Sequence, residues 1–266
     1  LQARLHVEPP NEFPALCNTA GVSELTVLGS CGAWPEPGRA CAGYLLTHNG
    51  YRVLMDLGYG ALPRLLAHCP DGEVDAVIVT HSHPDHCVDV SGLARVRYYA
   101  AGDTPKLPMY CAPGVLHVLE TLEPRPHPST LFDVHDLDGT HRLGPFRLET
   151  HQLPHYVPNF GVRLSAPGVT VAYTGDSGPS PVLADLGRDA DLLICDATLQ
   201  GPSPETKPRY VMTAAEAGAS AAHAGAKRLL LTHFWPGSDR AVSVREAREV
   251  FEGEVIAAEE GLVVEF

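Results

Sequence analysis

Cysteine is scarce and shows no pairing pattern. The 266-residue chain carries seven, an odd number, at positions 17, 31, 41, 69, 87, 111 and 195, with no C-x-x-C among them. This excludes a disulfide framework and a cysteine-built zinc knot, and reads as reduced thiols in a cytoplasmic setting. Most are expected to pack as small apolar side chains. Long apolar runs are missing as well. Nothing approaches the roughly 18 residues of a membrane-spanning helix, so no membrane partner is expected. Basic residues are few: 19 Lys and Arg stand against 32 Asp and Glu, a net charge of −13. Without a Lys/Arg-rich run, the electrostatic footprint of a nucleic-acid binder is lacking, and a small-molecule substrate is the expectation. The opening residues have no basic-then-apolar leader pattern. Their proline content predicts a loosely ordered segment over residues 1–22, followed by a single domain over 23–266.

What is present alternates between strand-rich and α/β stretches. Residues 24–29 predict a strand, and apolar runs at 43–47 and 52–56 flank His48-Asn49-Gly50, a hairpin signal. His48 in that turn is expected to be solvated. "VDAVIVT" (74–80) is a β-branched run suited to a strand buried on both faces. "PMYCAP" predicts a strand and "GVLHVLETLE" a helix, followed by antiparallel strands up to "VAYTGD". "ADLLICDA" and "KRLLLTHF" read as further buried strands. Between them lies an Ala-rich helix whose Thr213 and Glu216 have capping-box spacing. "SVREAREVFEG" predicts a helix ending at Gly253, and the last residues a closing strand pair. The order implies two similar halves, an α/β fold packed as an αββα sandwich of two mixed sheets flanked by helices.

The chemistry concentrates in "THSHPDHC", residues 80–87. Its three histidines and one aspartate cannot all be core residues, since burying such groups unpaired costs several kcal/mol, roughly, for each. His81 and His83 are two apart and share a side of an extended segment, where they can hold one ion. Asp85 and His86 follow where a helix should start and can face a second ion. Imidazole with carboxylate suits zinc, and manganese or iron(II) also fit such donors. Two ions need further ligands. His155 before a strand, and Asp176 and His233 at strand ends, are the candidates. His151 is a rival for the third histidine, but only His155 is followed by the Pro158–Gly161–Arg163 word.

"HSHPDH" matches the H-x-H-x-D-H signature, and from about residue 24 onward the chain resembles the metallo-β-lactamase superfamily. "HYVPNFGVRL" and "PEPGRACAGYLL" are similar to words of its tRNase Z and small cyclic-phosphodiesterase branch, with Val162 in place of the usual Tyr. The resemblance implies one ion held by His81, His83 and His155, and a second held by Asp85, His86 and His233. Asp176 would bridge them, and Asp56 in "LMDLG" would orient a ligand histidine. It further implies hydrolysis by a hydroxide shared between the metals, with Asp85 and Asp176 taking part. Branch members are often dimers, which makes a homodimer the corresponding expectation.

Two departures bear on the substrate. Val211 stands where the branch commonly has a histidine for acid catalysis or phosphate binding, leaving Tyr210 and Tyr156 as candidates for that role. Only about twenty residues separate His155 from Asp176, enough for a strand pair but not for the tRNA-clamping arm of tRNase Z. The favoured expectation is a phosphodiesterase for small cyclic nucleotides. The alternatives are a tRNA 3′-end endonuclease and a hydrolase of a lactone, ester or sulfate ester, because the fold alone does not choose.

Overall fold

Two mixed sheets of seven strands each frame residues 23–100 and 104–266, the part of the chain that the computed structural model describes. The first sheet begins with antiparallel β1 (Ser23–Gly29), β2 (Gly43–His48) and β3 (Tyr51–Leu57). Asn49, at φ 51°, closes the β2–β3 hairpin in the conformation an Asn-Gly turn requires. β4 (Ala76–Val79), β5 (Leu107–Cys111) and β6 (Phe132–Asp136) then add in parallel. Their connections carry α1 (Leu62–His68), α2 (Pro84–Cys87), α3 (Val90–Tyr99), α4 (Val115–Leu122) and α5 (Pro128–Leu131).

The second sheet repeats this plan. β7 (Thr140–Leu143), β8 (Phe146–Leu153), β9 (Asn159–Ala166) and β10 (Val169–Tyr173) are antiparallel. β11 (Leu192–Asp196), β12 (Arg228–Thr232) and β13 (Glu254–Ala257) follow in parallel, with α6 (Val182–Leu186), α7 (Ala214–Ala224) and α8 (Arg240–Arg248) between them. β4 and β11 are buried along their whole length, which is why they read as unbroken apolar runs. One core runs through both sheets, and across it the rings of Tyr44 and Tyr173 meet edge-on at 5.0 Å. This is the expected αββα sandwich. The capping box of α7 is formed as predicted: Thr213 accepts from the Glu216 N–H, and Glu216 accepts from the Thr213 N–H.

Four expectations are corrected. β6, expected to begin the antiparallel run, instead pairs in parallel with β5 at the edge of the first sheet. The closing strands do not pair with each other. β13 joins β12 in the second sheet, whereas β14 (Val263–Glu265) joins β1 in the first, because each sheet has an open edge there. α8 stops at Arg248 rather than running on to Gly253, and Phe251 turns into the core. His48 is buried, its Nδ1 2.6 Å from the Ser23 hydroxyl and its ring against Phe146. The loosely ordered segment expected over 1–22, and Cys17 with it, lies outside the described residues. Among the described residues no helix is long and apolar enough to cross a membrane.

Candidate metal centre

The signature begins where β4 leaves the sheet. His83 is extended (φ −68°, ψ 142°), and Pro84 then opens α2, a position where its missing N–H costs nothing. The change from extended chain to helix lets Asp85 and His86 face a second donor set, with the rings of His81 and His86 still only 4.1 Å apart. The other residues arrive from the second sheet: His155 from the β8–β9 connection, Asp176 just beyond β10, and His233 immediately after β12. Gly175 permits the close approach, since a side chain there would strike Asn159 and Thr80. Asn159 in turn donates to the carbonyls of Thr174 and Asp176, tying down that loop.

All seven expected ligand residues meet, in two sets sharing Asp176. His81, His83, His155 and Asp176 form one, and Asp85, His86, Asp176 and His233 the other. In the first, His83 Nδ1 lies 3.1 Å from His81 Nε2 and 3.0 Å from His155 Nε2. Asp176 Oδ2 is 3.7 Å from the Nε2 of both His81 and His155. In the second, His86 Nε2 is 3.1 Å from Asp176 Oδ1, and His233 Nε2 is 3.1 Å from Asp176 Oδ2 and 3.3 Å from Asp85 Oδ2. A tetrahedral ion with bonds of about 2.0–2.1 Å needs donors about 3.3–3.4 Å apart. The buried His86 Nε2 and Asp176 Oδ1 have no hydrogen-bond partner despite their proximity. A buried imidazole nitrogen and a carboxylate oxygen that face each other unpartnered suit a cation between them, so the residues fit a metal pair.

Behind the donors, hydrogen bonds select which imidazole nitrogen faces the site. Asp56 accepts from His86 Nδ1 at 2.8 Å, as expected, and also from the Thr80 N–H and hydroxyl and the Tyr173 hydroxyl. Because the Thr80 hydroxyl gives its proton to Asp56, it accepts from His81 Nδ1, 3.1 Å away. The second sheet repeats the device. Asp196, at the end of β11, accepts from the Thr198 N–H and hydroxyl, and that hydroxyl lies 2.8 Å from His233 Nδ1. His155 Nδ1 donates to the Tyr210 carbonyl at 2.9 Å. In His81, His86, His155 and His233 the Nε2 atom is thereby aimed inward. The sequence reading missed Thr80, Asp196 and Thr198. The available signal was "LLICDAT", a buried strand ending in aspartate, much as Asp56 lies one residue before the end of β3.

The electrostatics divide the histidines. Burial holds the pKa values of His81, His83 and His155 below the ordinary value, so these rings are neutral. Burial also works against a proton on His86, but Asp176, Asp85 and Asp56 overcome it and raise its pKa well above the usual range. His233 is likewise opposed by burial yet pushed up to about 9 by Asp176, Asp85 and Asp196. Burial would raise Asp176 and Asp85; the neighbouring His86 and His233 hold both low. Asp196 is pushed up to about 7, mainly by burial. The second set is thus an anionic nest that demands positive charge.

His151 lies outside both sets. It sits on β8 and lines a groove with Glu149, Arg163, Asp185 and Arg188. Beside His155, the exposed Tyr156 packs on Tyr210 with ring centroids 4.2 Å apart, along an open cleft of about 510 Å³. A larger groove, about 620 Å³, follows β7 and β8 and includes none of the donors.

Residues 51–234 match the family described as β-lactamase superfamily domain. The probable metallo-hydrolase YhfI of Bacillus subtilis is 31% identical over 245 residues, covering 91% of this chain and 99% of that one. Its crystal structure superposes with a TM-score of 0.83 over 92% of this chain and 100% of that one. Ribonuclease Z of Haloferax volcanii is 29% identical over 299 residues, covering 90% of this chain and 94% of its own. The short form of human tRNase Z, at 24% identity, shares the fold with a TM-score of 0.74, covering 91% of this chain and 98% of that one. The donor geometry, the paired sheets and these likenesses agree: the chain belongs to the metallo-β-lactamase superfamily.

Proposed function

We propose that this protein is a two-metal hydrolase of small phosphodiesters, with cyclic nucleotides as its substrate class. The observation that carries the reading is the shared Asp176, whose two carboxylate oxygens face histidines of both donor sets. Zinc is the metal we assign, on the strength of five imidazoles in the two sets. Divalent cations bound there supply Lewis acidity toward phosphoryl oxygens and bring the pKa of water toward neutrality. The chain's own part is positioning. The Ala33 N–H donates to Asp85 Oδ2 at 2.7 Å and fixes that carboxylate beside His233. His83 and His155, the partly exposed members, mark the side from which substrate enters.

The phosphodiester class is supported by the relatives that carry the ribonuclease Z name. The small substrate is supported by the charge of −13 and by the β9–β10 connection. β9 ends at Ala166 and β10 starts at Val169, so Pro167 and Gly168 alone turn the hairpin and no arm is inserted. A cytoplasmic location and a homodimer remain part of this reading. The second reading is a tRNA 3′-end endonuclease, favoured by the same ribonuclease Z relatives. The test is turnover of 3′,5′- and 2′,3′-cyclic nucleotides by metal-loaded protein, lost on chelation and restored by zinc or manganese. Two bound ions without turnover would overturn it, and cleavage of precursor tRNA in its place would establish the second reading.

Metal uptake itself should be visible as acid. At pH 7 the raised His86 and His233 each hold a proton on the nitrogen that must become a ligand. Loading should release up to about two protons at that pH, fewer as pH rises through His233's value of about 9, and affinity should weaken as pH falls. Calorimetric titrations in buffers of different ionisation enthalpy measure this. Loading without proton release at pH 7 would contradict the assigned charge states.

A further inference from the structure

The chain has only two tryptophans, Trp34 and Trp235, and they stand together with ring centroids 4.9 Å apart in an edge-on arrangement. Each is 47% exposed, which leaves much of the largest apolar side chain type open to solvent. Both flank the second donor set. Trp34 follows Ala33, whose N–H holds Asp85, and Trp235 lies two residues past His233. At 3.8 Å per step, each tryptophan Cα is within about 8 Å of the Cα of Ala33 or His233.

The backbone beneath the pair is built for this placement. Gly32 lies against the His233 ring, where a side chain would come within 2.6 Å of the imidazole. Ala33 and His233 both hold positive φ, 61° and 58°, a conformation rare outside glycine and often maintained at functional sites. The two loops are joined by Gly32 N–H to the Phe234 carbonyl, Phe234 N–H to the Ser30 carbonyl, and Gly237 N–H to the Glu36 carboxylate. Two exposed indoles on a hydrogen-bonded scaffold form a rigid apolar platform beside a site for an anionic ester.

We propose that Trp34 and Trp235 form the base-binding platform of the active site, on which the nucleobase of the substrate stacks while its phosphodiester lies at the metal centre. The proposal rests on the phosphodiesterase reading and names the part of the substrate that gives specificity. A ligand that satisfies both features has a flat π-face joined through a short polar spacer to a phosphate, which is the chemistry of a nucleotide. Stacking on an aromatic face is tolerant of base identity, so adenine and guanine nucleotides should both be accepted.

Intrinsic tryptophan emission reports on this pair alone. Titrating metal-loaded protein with adenosine monophosphate, excited beyond nucleotide absorption, should give saturable quenching. Ribose 5-phosphate, with the phosphate but no base, should give little. Equal responses to the two, or none to either, would overturn the platform. In kinetics, Trp34→Ala and Trp235→Ala should each raise KM for a cyclic nucleotide about tenfold with kcat within about twofold. They should leave KM for a base-free ribose cyclic phosphate unchanged, and the Phe variants should recover most of the loss. An equal rise on both substrates would reduce the tryptophans to scaffold and sink the proposal. If wild-type protein turns over no cyclic nucleotide, the phosphodiesterase reading fails, and the quenching experiment still decides the platform.

Discussion

Asp176→Ala should bind fewer than two metal ions and lose at least about a thousandfold in turnover, the equivalent of the several kcal/mol a two-metal site supplies. Among the described residues, Asp176 is the one that belongs to both donor sets. Asp176 Oδ2 approaches His81, His155 and His233, and Oδ1 approaches His86. Without this carboxylate, five imidazoles remain together with Asp85 as the single remaining acid of the sets. A lone cation there would lose the shared counter-charge, and the second would lose a ligand as well. Asp176→Asn separates the two effects. It keeps the shape and one oxygen but removes the charge, so one ion should be retained weakly and turnover should still collapse. Metal analysis on the purified variants, paired with hydrolysis assays, measures both quantities. Two tightly bound ions with near-normal turnover in Asp176→Ala would break the shared-carboxylate account.

The second large effect is on stability. Asp56→Ala should destabilise the fold by about 3–5 kcal/mol, because it leaves buried donors with no acceptor. Asp56 accepts from the Thr80 N–H, the Thr80 hydroxyl, His86 Nδ1 and the Tyr173 hydroxyl, and it is fully buried. Tyr173 belongs to the second sheet and Asp56 to the first, so the loss also cuts a polar tie between the two halves. At about 2–4 °C per kcal/mol for a domain of this size, the melting temperature should fall by roughly 10 °C. Metal affinity should drop about 10–100-fold, as His86 loses its orienting partner and the Thr80 hydroxyl, without Asp56 to accept its proton, no longer fixes the tautomer of His81. Thermal unfolding with and without a chelator separates the two losses. A variant within about 1 kcal/mol of wild type would mean that Asp56 is not the hub described. Asp196→Ala makes the parallel case in the second sheet, acting through Thr198 on His233.

Much of the site was legible because metal ligands obey local spacing. His81, His83, Asp85 and His86 occupy six consecutive positions, and the switch from extended chain to helix at Pro84 follows from that sequence alone. Asp176 and His233 stood out because a buried apolar strand ends on each side of a polar residue with no reason to be in a core. Choosing His155 over His151 depended on the word that follows it. The supporting residues were hidden for a physical reason. Thr80, Thr198 and Asp196 are ordinary strand-end residues until tertiary packing puts them behind an imidazole, and a two-bond relay leaves no periodic trace.

By itself, then, the sequence determined most element types, the αββα plan and the candidate donor residues, since hydrophobic periodicity and the spacing of the histidine motif are properties of neighbours along the chain. The tertiary structure alone decided which sheet received each closing strand, because β13 and β14 answer to edges formed by strands far away in sequence. It also buried His48 against Phe146, aimed four Nε2 atoms inward, and brought Trp34 against Trp235 across some two hundred residues. Contacts of that separation arise only when two sheets close on each other, and no local pattern encodes them.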